Sequence, residues 1–417
     1  MFWDKAISRA IAAHVAGLRF DALPAATVHA TQRELLDALG VMLGASGLGE
    51  DAGPYRAHAL AAQGPARLLG FDERSTPALA ALANGALAHT LDFGDTFDAG
   101  PAHPNAALVH ALLALADADP AIDLATFLTA MEAGSDLACR LSLAPARAYE
   151  EGGWYPPPLV NLIASALGCA RLIGLDAGGI RDAMGLALVQ GSFPSEIKYD
   201  GSSPLRGVRE GFVARAAVEA ALLARAGARG FAEPLEGKAG FFAVYGGGVR
   251  ADVLLDGLGE RFLGDQVSFK PWPACRGTHP YIEAALALRT TIDLAAIERI
   301  EAETGPIQEM LIRPQPAKAA HDQPIHAKFS IPYTVAAALI DGEVTLASFA
   351  PERIGDMATR ALAVKVVERR NPDWTRAEAA SGSLTFVMHD GTIHTHRVMQ
   401  AAGHPDRPIN DSALIAK

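Results

Sequence analysis

The chain has 417 residues, half of them apolar and 20% charged, with a formal net charge of −11. This length exceeds what one hydrophobic core usually sustains, so two domains are expected, and the composition excludes a disordered chain. The acidic balance argues against a nucleic-acid partner, which needs a concentrated basic surface, but allows a small anion held in a local basic pocket.

Residues 1–5 lack a basic stretch followed by an apolar one, so no signal peptide is read there. The three cysteines, Cys139, Cys169 and Cys275, show no CxxC spacing. They fit a reducing, cytoplasmic setting and give no zinc signature. Apolar runs such as 105–118 fall short of the roughly 20 residues that span a bilayer, so no membrane partner is expected.

From residue 5 to about 262 the pattern is helical, with three- and four-residue apolar spacing over 27–44, 76–91, 105–118, 124–141, 160–174, 179–190 and 209–227. Pro104 suits the first turn of its helix, with His103 just before it, and Gly174 and Gly227 fall where helices should stop. After about 263 the texture changes. Residues 299–304, 363–367, 383–388 and 392–398 read as strands, the last two joined by His389-Asp390-Gly391, a hairpin signal. Helices at 279–290 and 332–341 are interleaved, and Asn410-Asp411-Ser412 resembles an N-cap for 412–417. The expected fold is mainly α: a large all-α helical domain over 1–262 and 398–417, and a smaller α+β domain over 263–397.

Four segments carry chemistry. Asp92-Phe93-Gly94-Asp95-Thr96-Phe97-Asp98 with His103-Pro104 reads as a pocket floor, as a solvated loop of turn-forming Asp, or as hard ligands for a metal. No HExxH or EF-hand spacing supports the metal reading. Lys270-Pro271-Trp272-Pro273 through Cys275-Arg276-Gly277-Thr278-His279-Pro280 brings positive charge into a stiff apolar stretch at the domain junction, or is a rigid linker. Gly201-Ser202-Ser203-Pro204-Leu205-Arg206-Gly207-Val208-Arg209 offers backbone N–H groups and guanidinium forks to a carboxylate, without Walker A or GxGxxG spacing. Tyr333, in Lys328-Phe329-Ser330-Ile331-Pro332-Tyr333, either points its hydroxyl outward or packs with it satisfied.

Together these segments resemble the MmgE/PrpD family over nearly the whole chain. The resemblance is carried by Asn84-Gly85-Ala86-Leu87-Ala88-His89-Thr90-Leu91-Asp92-Phe93, Asp95-Thr96, His103-Pro104, Lys270-Pro271-Trp272-Pro273, Thr278-His279-Pro280, Phe329-Ser330-Ile331-Pro332-Tyr333 and Gly403-His404-Pro405. It implies a helical domain built from both chain ends, an α+β lid domain, a cleft between them, a homodimer, and chemistry without a metal or organic cofactor. Positions matching family active-site residues are Asp92, Thr96, His103, Lys270 and Tyr333. Departures are Gly94 for a usual Asp, Tyr155 for a usual His, and Arg206 and Arg209 for a usual Lys and His.

A proton alpha to a carboxylate needs a base, and cations for the charge that develops. His103 is the first candidate for proton transfer, oriented by Asp92 and Thr96, with Tyr155 and Tyr333 as candidates for the opposite face. Lys270, Arg206, Arg209, Arg276 and His279 are candidates for holding a di- or tricarboxylate. The expected reaction is a lyase step, dehydration of a 2-methylcitrate-like acid. The alternatives are epimerisation of a dicarboxylate such as iminodisuccinate, decarboxylation of a cis-aconitate-type acid, or carboxylate binding without turnover.

Overall fold

The computed structural model describes residues 6–200 and 203–417; the reading of residues 1–5, and Gly201 and Ser202 of the third segment, lie outside the described residues. The chain divides into two compact units, Met1–Thr90 with Gly94–Val267, and Leu91–Phe93 with Ser268–Lys417. The first is helical and the second holds the principal sheet, so the molecule is mainly α with a small sheet-containing domain.

In the first unit every residue of helix Pro156–Leu172 except Arg171 is buried, and helix Asn105–Ala116 leaves only Leu113 and Ala116 uncovered. A helix apolar on all sides belongs at the centre of its domain. Pro156, Pro157 and Pro158 fill the first turn, where the donor that proline lacks would be unpaired anyway. Helices Pro77–Leu87 and Glu210–Arg225 approach through two glycines. A Cβ on Gly211 would lie 2.4 Å from Leu82 O, and one on Gly85 would lie 2.9 Å from Glu210 O. That close approach sets Arg209 and Glu210 against the residues that follow Leu87. The expected helix over 76–91 ends at Leu87, where Ala88 N and Thr90 N turn to the carbonyls three residues back, Gly85 and Leu87, instead of four. A two-stranded ladder, β1 (Ala66–Arg67) and β2 (Arg74–Ser75), interrupts the expected run of helices.

The second unit carries β3 (Ile297–Thr304), β4 (Val366–Arg370), β5 (Gly382–Met388) and β6 (Ile393–Val398), in the order β4-β3-β5-β6. β3 pairs parallel with β4 and antiparallel with β5, and β5 pairs antiparallel with β6. The Asp390-Gly391 turn forms as expected, with Gly391 at φ 86° and Asp390 Oδ1 accepting from Thr392 N at 2.8 Å. The strand expected over 363–367 begins only at Val366. Asp356 accepts from Thr359 N at 2.8 Å and caps a helix over Met357–Val364 that takes its first half. The tail beyond 398, assigned to the helical domain from sequence, makes its contacts in the second unit. Phe269 N donates to Gly403 O at 3.1 Å, and Arg407 Nη2 donates to Glu283 Oε1 at 2.7 Å. No helix among the described residues is long and apolar enough to cross a membrane.

The first unit also buries carboxyl groups. Asn105 Nδ2 donates to Glu34 Oε2 at 2.7 Å and to Asp95 Oδ2 at 2.9 Å, and Thr31 Oγ1 donates to Glu132 Oε2 at 2.7 Å. Burial, then the neighbouring Glu132 and Asp95, hold Glu34 well above the usual carboxylate range, and burial with Asp136 pushes Glu132 up to about 8. A carboxyl raised in the folded chain keeps a proton that the unfolded chain, with a pKa of about 4.3, releases. Its stabilising contribution is full below that unfolded value and is lost as pH rises through the folded one, about 8 for Glu132. We expect the thermal midpoint to fall as pH is raised from about 5 to about 8.5, and Glu132→Gln to flatten that fall. An unchanged slope in the variant, followed by circular dichroism, would contradict the assignment.

Candidate active site

In the first unit, the loop before helix Asn105–Ala116 closes on itself, with Phe97 N donating to Ala102 O at 3.0 Å. This turns His103, which is half-buried, so that its Nδ1 lies 2.8 Å from Asp95 O. A carbonyl can only accept, so Nδ1 carries a proton, and in the neutral ring the lone pair falls on Nε2. Asn161 Nδ2 fixes the same residue from behind, donating to His103 O at 2.9 Å and to Glu210 Oε2 at 3.3 Å.

The His89 ring packs 4.9 Å from that of His103, at 58°. Arg209 Nη2 donates to His89 Nε2 at 3.0 Å, which makes His89 a neutral imidazole with its proton on Nδ1. Arg209 is buried, and its other partners are few and fixed. Its Nε lies 3.0 Å from Glu210 Oε1, its Nη1 donates to Arg206 O, and its Cζ lies 5.0 Å from the centroid of the Tyr155 ring. Burial pushes the Glu210 carboxyl up, and Arg209 opposes the shift. Thr96, Tyr155 and Arg206 are also buried in this unit.

In the second unit, three lysines each hold one of three consecutive carbonyls. Lys328 Nζ donates to Leu91 O at 2.8 Å, Lys270 Nζ to Asp92 O at 3.1 Å, and Lys417 Nζ to Phe93 O. Lys270 also donates to Asp92 Oδ1 at 2.9 Å, an ion pair with both side chains 1% exposed. Asp92 has φ 47° and is the one non-glycine in the left-handed region among the described residues, where a short polar side chain is tolerated best. Burial lowers Lys328 to about 7, with Asp92 raising it and Lys270 lowering it further.

Around this pair, His279 is fully buried with Nε2 3.1 Å from Ala274 O, and burial, then Arg276 and Lys270, holds it well below the usual histidine range. Its Nδ1 has no hydrogen-bond partner among the described residues. Arg276 donates from Nη1 to Ala402 O at 2.7 Å and from Nη2 to Ala401 O at 3.1 Å, so much of its fork holds the tail.

The structure brings His103, Thr96, Tyr155, Arg206 and Arg209 into the first unit, and Asp92, Lys270, Arg276, His279 and Tyr333 into the second. The Asp95 carbonyl accepts from His103 Nδ1, and the Asp92 carboxylate accepts from Lys270. Of the two sequence readings of Tyr333, the packed one is found. Tyr333 is fully buried, packs against Phe349 with centroids 5.8 Å apart, and donates its hydroxyl to Ser348 O, as a core tyrosine does. His89, Asn161 and Lys328 are the residues the sequence reading passed over. Each was visible as a polar side chain inside an otherwise apolar run, which requires a partner once buried. Among the described residues no group of three or more His, Cys, Asp or Glu is arranged to hold a metal ion.

A helical N-terminal unit and a sheet-containing C-terminal unit, each with buried titratable side chains, define the class of protein. The chain belongs to the MmgE/PrpD family: the MmgE/PrpD N-terminal domain matches residues 9–253 and the MmgE/PrpD C-terminal domain matches 272–417. It is 27% identical over 429 residues to the cis-aconitate decarboxylase of Mus musculus, covering 99% of this chain and 86% of that protein. It is 29% identical over 357 residues to the cis-aconitate decarboxylase of Homo sapiens (83% and 73%), and 26% identical over 374 residues to the 2-methylcitrate dehydratase of Salmonella typhimurium strain LT2 (82% and 74%).

Breaking one side of a buried ion pair leaves an uncompensated charge, at a cost of about 3 kcal/mol. Asp92→Asn keeps a residue that tolerates the left-handed backbone and removes only the charge. We expect it to lower the denaturant-derived stability by about that amount, and Lys270→Met on top of it to cost much less than Lys270→Met alone. Strict additivity in the double-mutant cycle would show that the pair is not coupled.

Proposed function

We propose that the chain is a lyase that moves a proton alpha to a carboxylate of a small di- or tricarboxylic acid, with dehydration of a 2-methylcitrate-like hydroxy acid as its reaction. The observation that carries this reading is the His103 tautomer. Its Nδ1–H is committed to the Asp95 carbonyl, so in the neutral ring Nε2 is the atom that would take the proton. Arg206 and Lys270 are assigned to the carboxylates, where fixed positive charge lowers the energy of the enediolate-like anion. An ammonium has three donors, and Asp92 takes two of those on Lys270. Arg209 donates to His89 Nε2, so the imidazole that packs against His103 is neutral. The cis-aconitate decarboxylases among its relatives favour a second reading, loss of carbon dioxide from an unsaturated tricarboxylate. It uses the same base in reverse, as the acid that protonates the carbanion.

An epimerase needs two proton carriers on opposite faces of one carbon. In the histidine pair of the first unit, Arg209 occupies the Nε2 lone pair of one imidazole, which favours the lyase readings over iminodisuccinate-type epimerisation.

Incubation with 2-methylcitrate, citrate and cis-aconitate, followed by proton NMR, separates the outcomes. Dehydration gives a new vinylic or conjugated product and decarboxylation gives a shortened acid. Neither reaction, together with no exchange of alpha hydrogens in deuterated water, would remove the enzymatic reading and leave carboxylate binding. His103→Ala should lower turnover by about 10²–10⁴-fold with an unchanged circular dichroism spectrum; full turnover in that variant would assign the base elsewhere. His89→Asn should shift the pH–rate profile, because it removes the imidazole that Arg209 holds neutral; an unmoved profile would reduce His89 to packing.

A further inference from the structure

After helix Ala177–Leu188 the chain turns back beside Tyr155. Tyr155 N donates to Phe193 O at 2.8 Å and Ser195 N to Gly153 O at 2.8 Å, so the Phe193–Ser195 stretch is pinned. Opposite it run the short helix Leu205–Val208 and the start of Glu210–Arg225. Between these segments, wholly within the first unit, lies a cavity of about 430 Å³. Its walls are mostly hydrocarbon, chiefly Phe193, Ile197, Leu205 and Phe212, with Arg209 and Arg215 as its cations. Leu205 and Phe212 leave 44% and 37% of their surface exposed there.

Volume and lining are those of a small-molecule pocket, typically ~300–1,000 Å³, apolar, with a few polar groups that orient the ligand. At ~30 Å³ per water it holds about fourteen, which an apolar group would release. Two further observations indicate what the ligand carries. The Arg215 guanidinium lies on the cavity wall, and its Nε has no hydrogen-bond partner among the described residues, so its charge there is only partly satisfied. Arg209, on the same cavity, is the residue that donates to His89 beside His103, so the pocket adjoins the acid–base network.

We propose that this cavity is a specificity pocket: it receives an alkyl or aryl group of about six carbons carried by the carboxylic acid substrate, whose carboxylate pairs with the Arg215 guanidinium. This rests on the proposed function only in taking a carboxylate as the ligand. It predicts a substrate larger and greasier than an unsubstituted polycarboxylate. Each methylene that enters adds roughly threefold to fourfold in affinity.

The test is isothermal titration of the full chain with n-hexylsuccinate, succinate and n-hexylamine, with no turnover required. We expect hexylsuccinate to bind at least about 30-fold more tightly than succinate. Leu205→Trp, which fills the cavity, should abolish that advantage and leave succinate unchanged, and Ser192→Phe serves as a second blocking variant if the first fails to fold. Arg215→Met should weaken hexylsuccinate by about tenfold. Equal affinity for the two acids, or an advantage that survives both blocking variants, overturns the pocket. Hexylamine binding as tightly as hexylsuccinate would assign the site to Glu196 and Asp200 on the same cavity, and would overturn the carboxylate. Failure of the lyase assay with these titrations intact would sink the proposed reaction and leave the pocket standing.

Discussion

Asp92 is held in an unusual backbone conformation by a buried ammonium, and much of the chemistry proposed for this chain depends on that arrangement. A non-glycine residue at φ 47° costs energy that local structure must offset. The offset comes from three lysines that take the carbonyls of Leu91, Asp92 and Phe93 in turn. Three ammonium groups in so short a stretch would repel one another. The Asp92 carboxylate compensates one of them directly, and burial, with Lys270 adding to it, lowers the affinity of Lys328 for its proton. The tripeptide is thus fixed as a unit of the second domain while the residues on either side of it belong to the first.

In the helical unit the same principle acts through tautomers instead of charge. Two imidazoles 4.9 Å apart are useful for proton transfer only if their protonation states differ in a defined way. Each is defined by one partner. The Asp95 carbonyl accepts from His103 Nδ1, and the Arg209 guanidinium donates to His89 Nε2. Both partners are held in turn. Asp95 accepts from Asn105 at the helix start, and Arg209 lies between Glu210 and the Tyr155 ring. Such chains polarise along their length, so loss of one member is felt at the others.

The elements were legible where periodicity was strong and less so at their ends. The central helices lie where their apolar spacing puts them, and the Asp390-Gly391 hairpin formed as its turn chemistry required. The misplaced ends have local causes. Ala88 N and Thr90 N turn to carbonyls three residues back, and an Asp356 cap extends a helix into half of an expected strand. The destination of the tail was not legible, because it depends on Arg276 donating to carbonyls more than 100 residues away in sequence. Among site residues, the types were readable and the pairings were not. Sequence marked Asp92 and Lys270 as separate candidates, and only the structure shows that the one carboxylate accepts from the other's ammonium. For Tyr333 the sequence allowed an outward or a satisfied hydroxyl, and only packing shows that the Ser348 carbonyl satisfies it.

The departures at 155 and 209 from the usual family residues form one change, not two. A guanidinium is planar and forked, so Arg209 can meet Glu210 along one edge, reach His89 with another nitrogen and lie over an aromatic face at the same time. An imidazole at 209 has only two nitrogens and could not serve all three. An imidazole at 155 would place a second titratable cation against the permanent charge of Arg209, whereas the phenol ring of Tyr155 offers a π face that attracts it. Arginine at 209 therefore favours an uncharged aromatic at 155, and tyrosine at 155 rewards arginine at 209. The pair thus sets a permanent cation against an uncharged ring where two imidazoles are usual, and the guanidinium that lies over the ring is the same one that fixes the tautomer of His89.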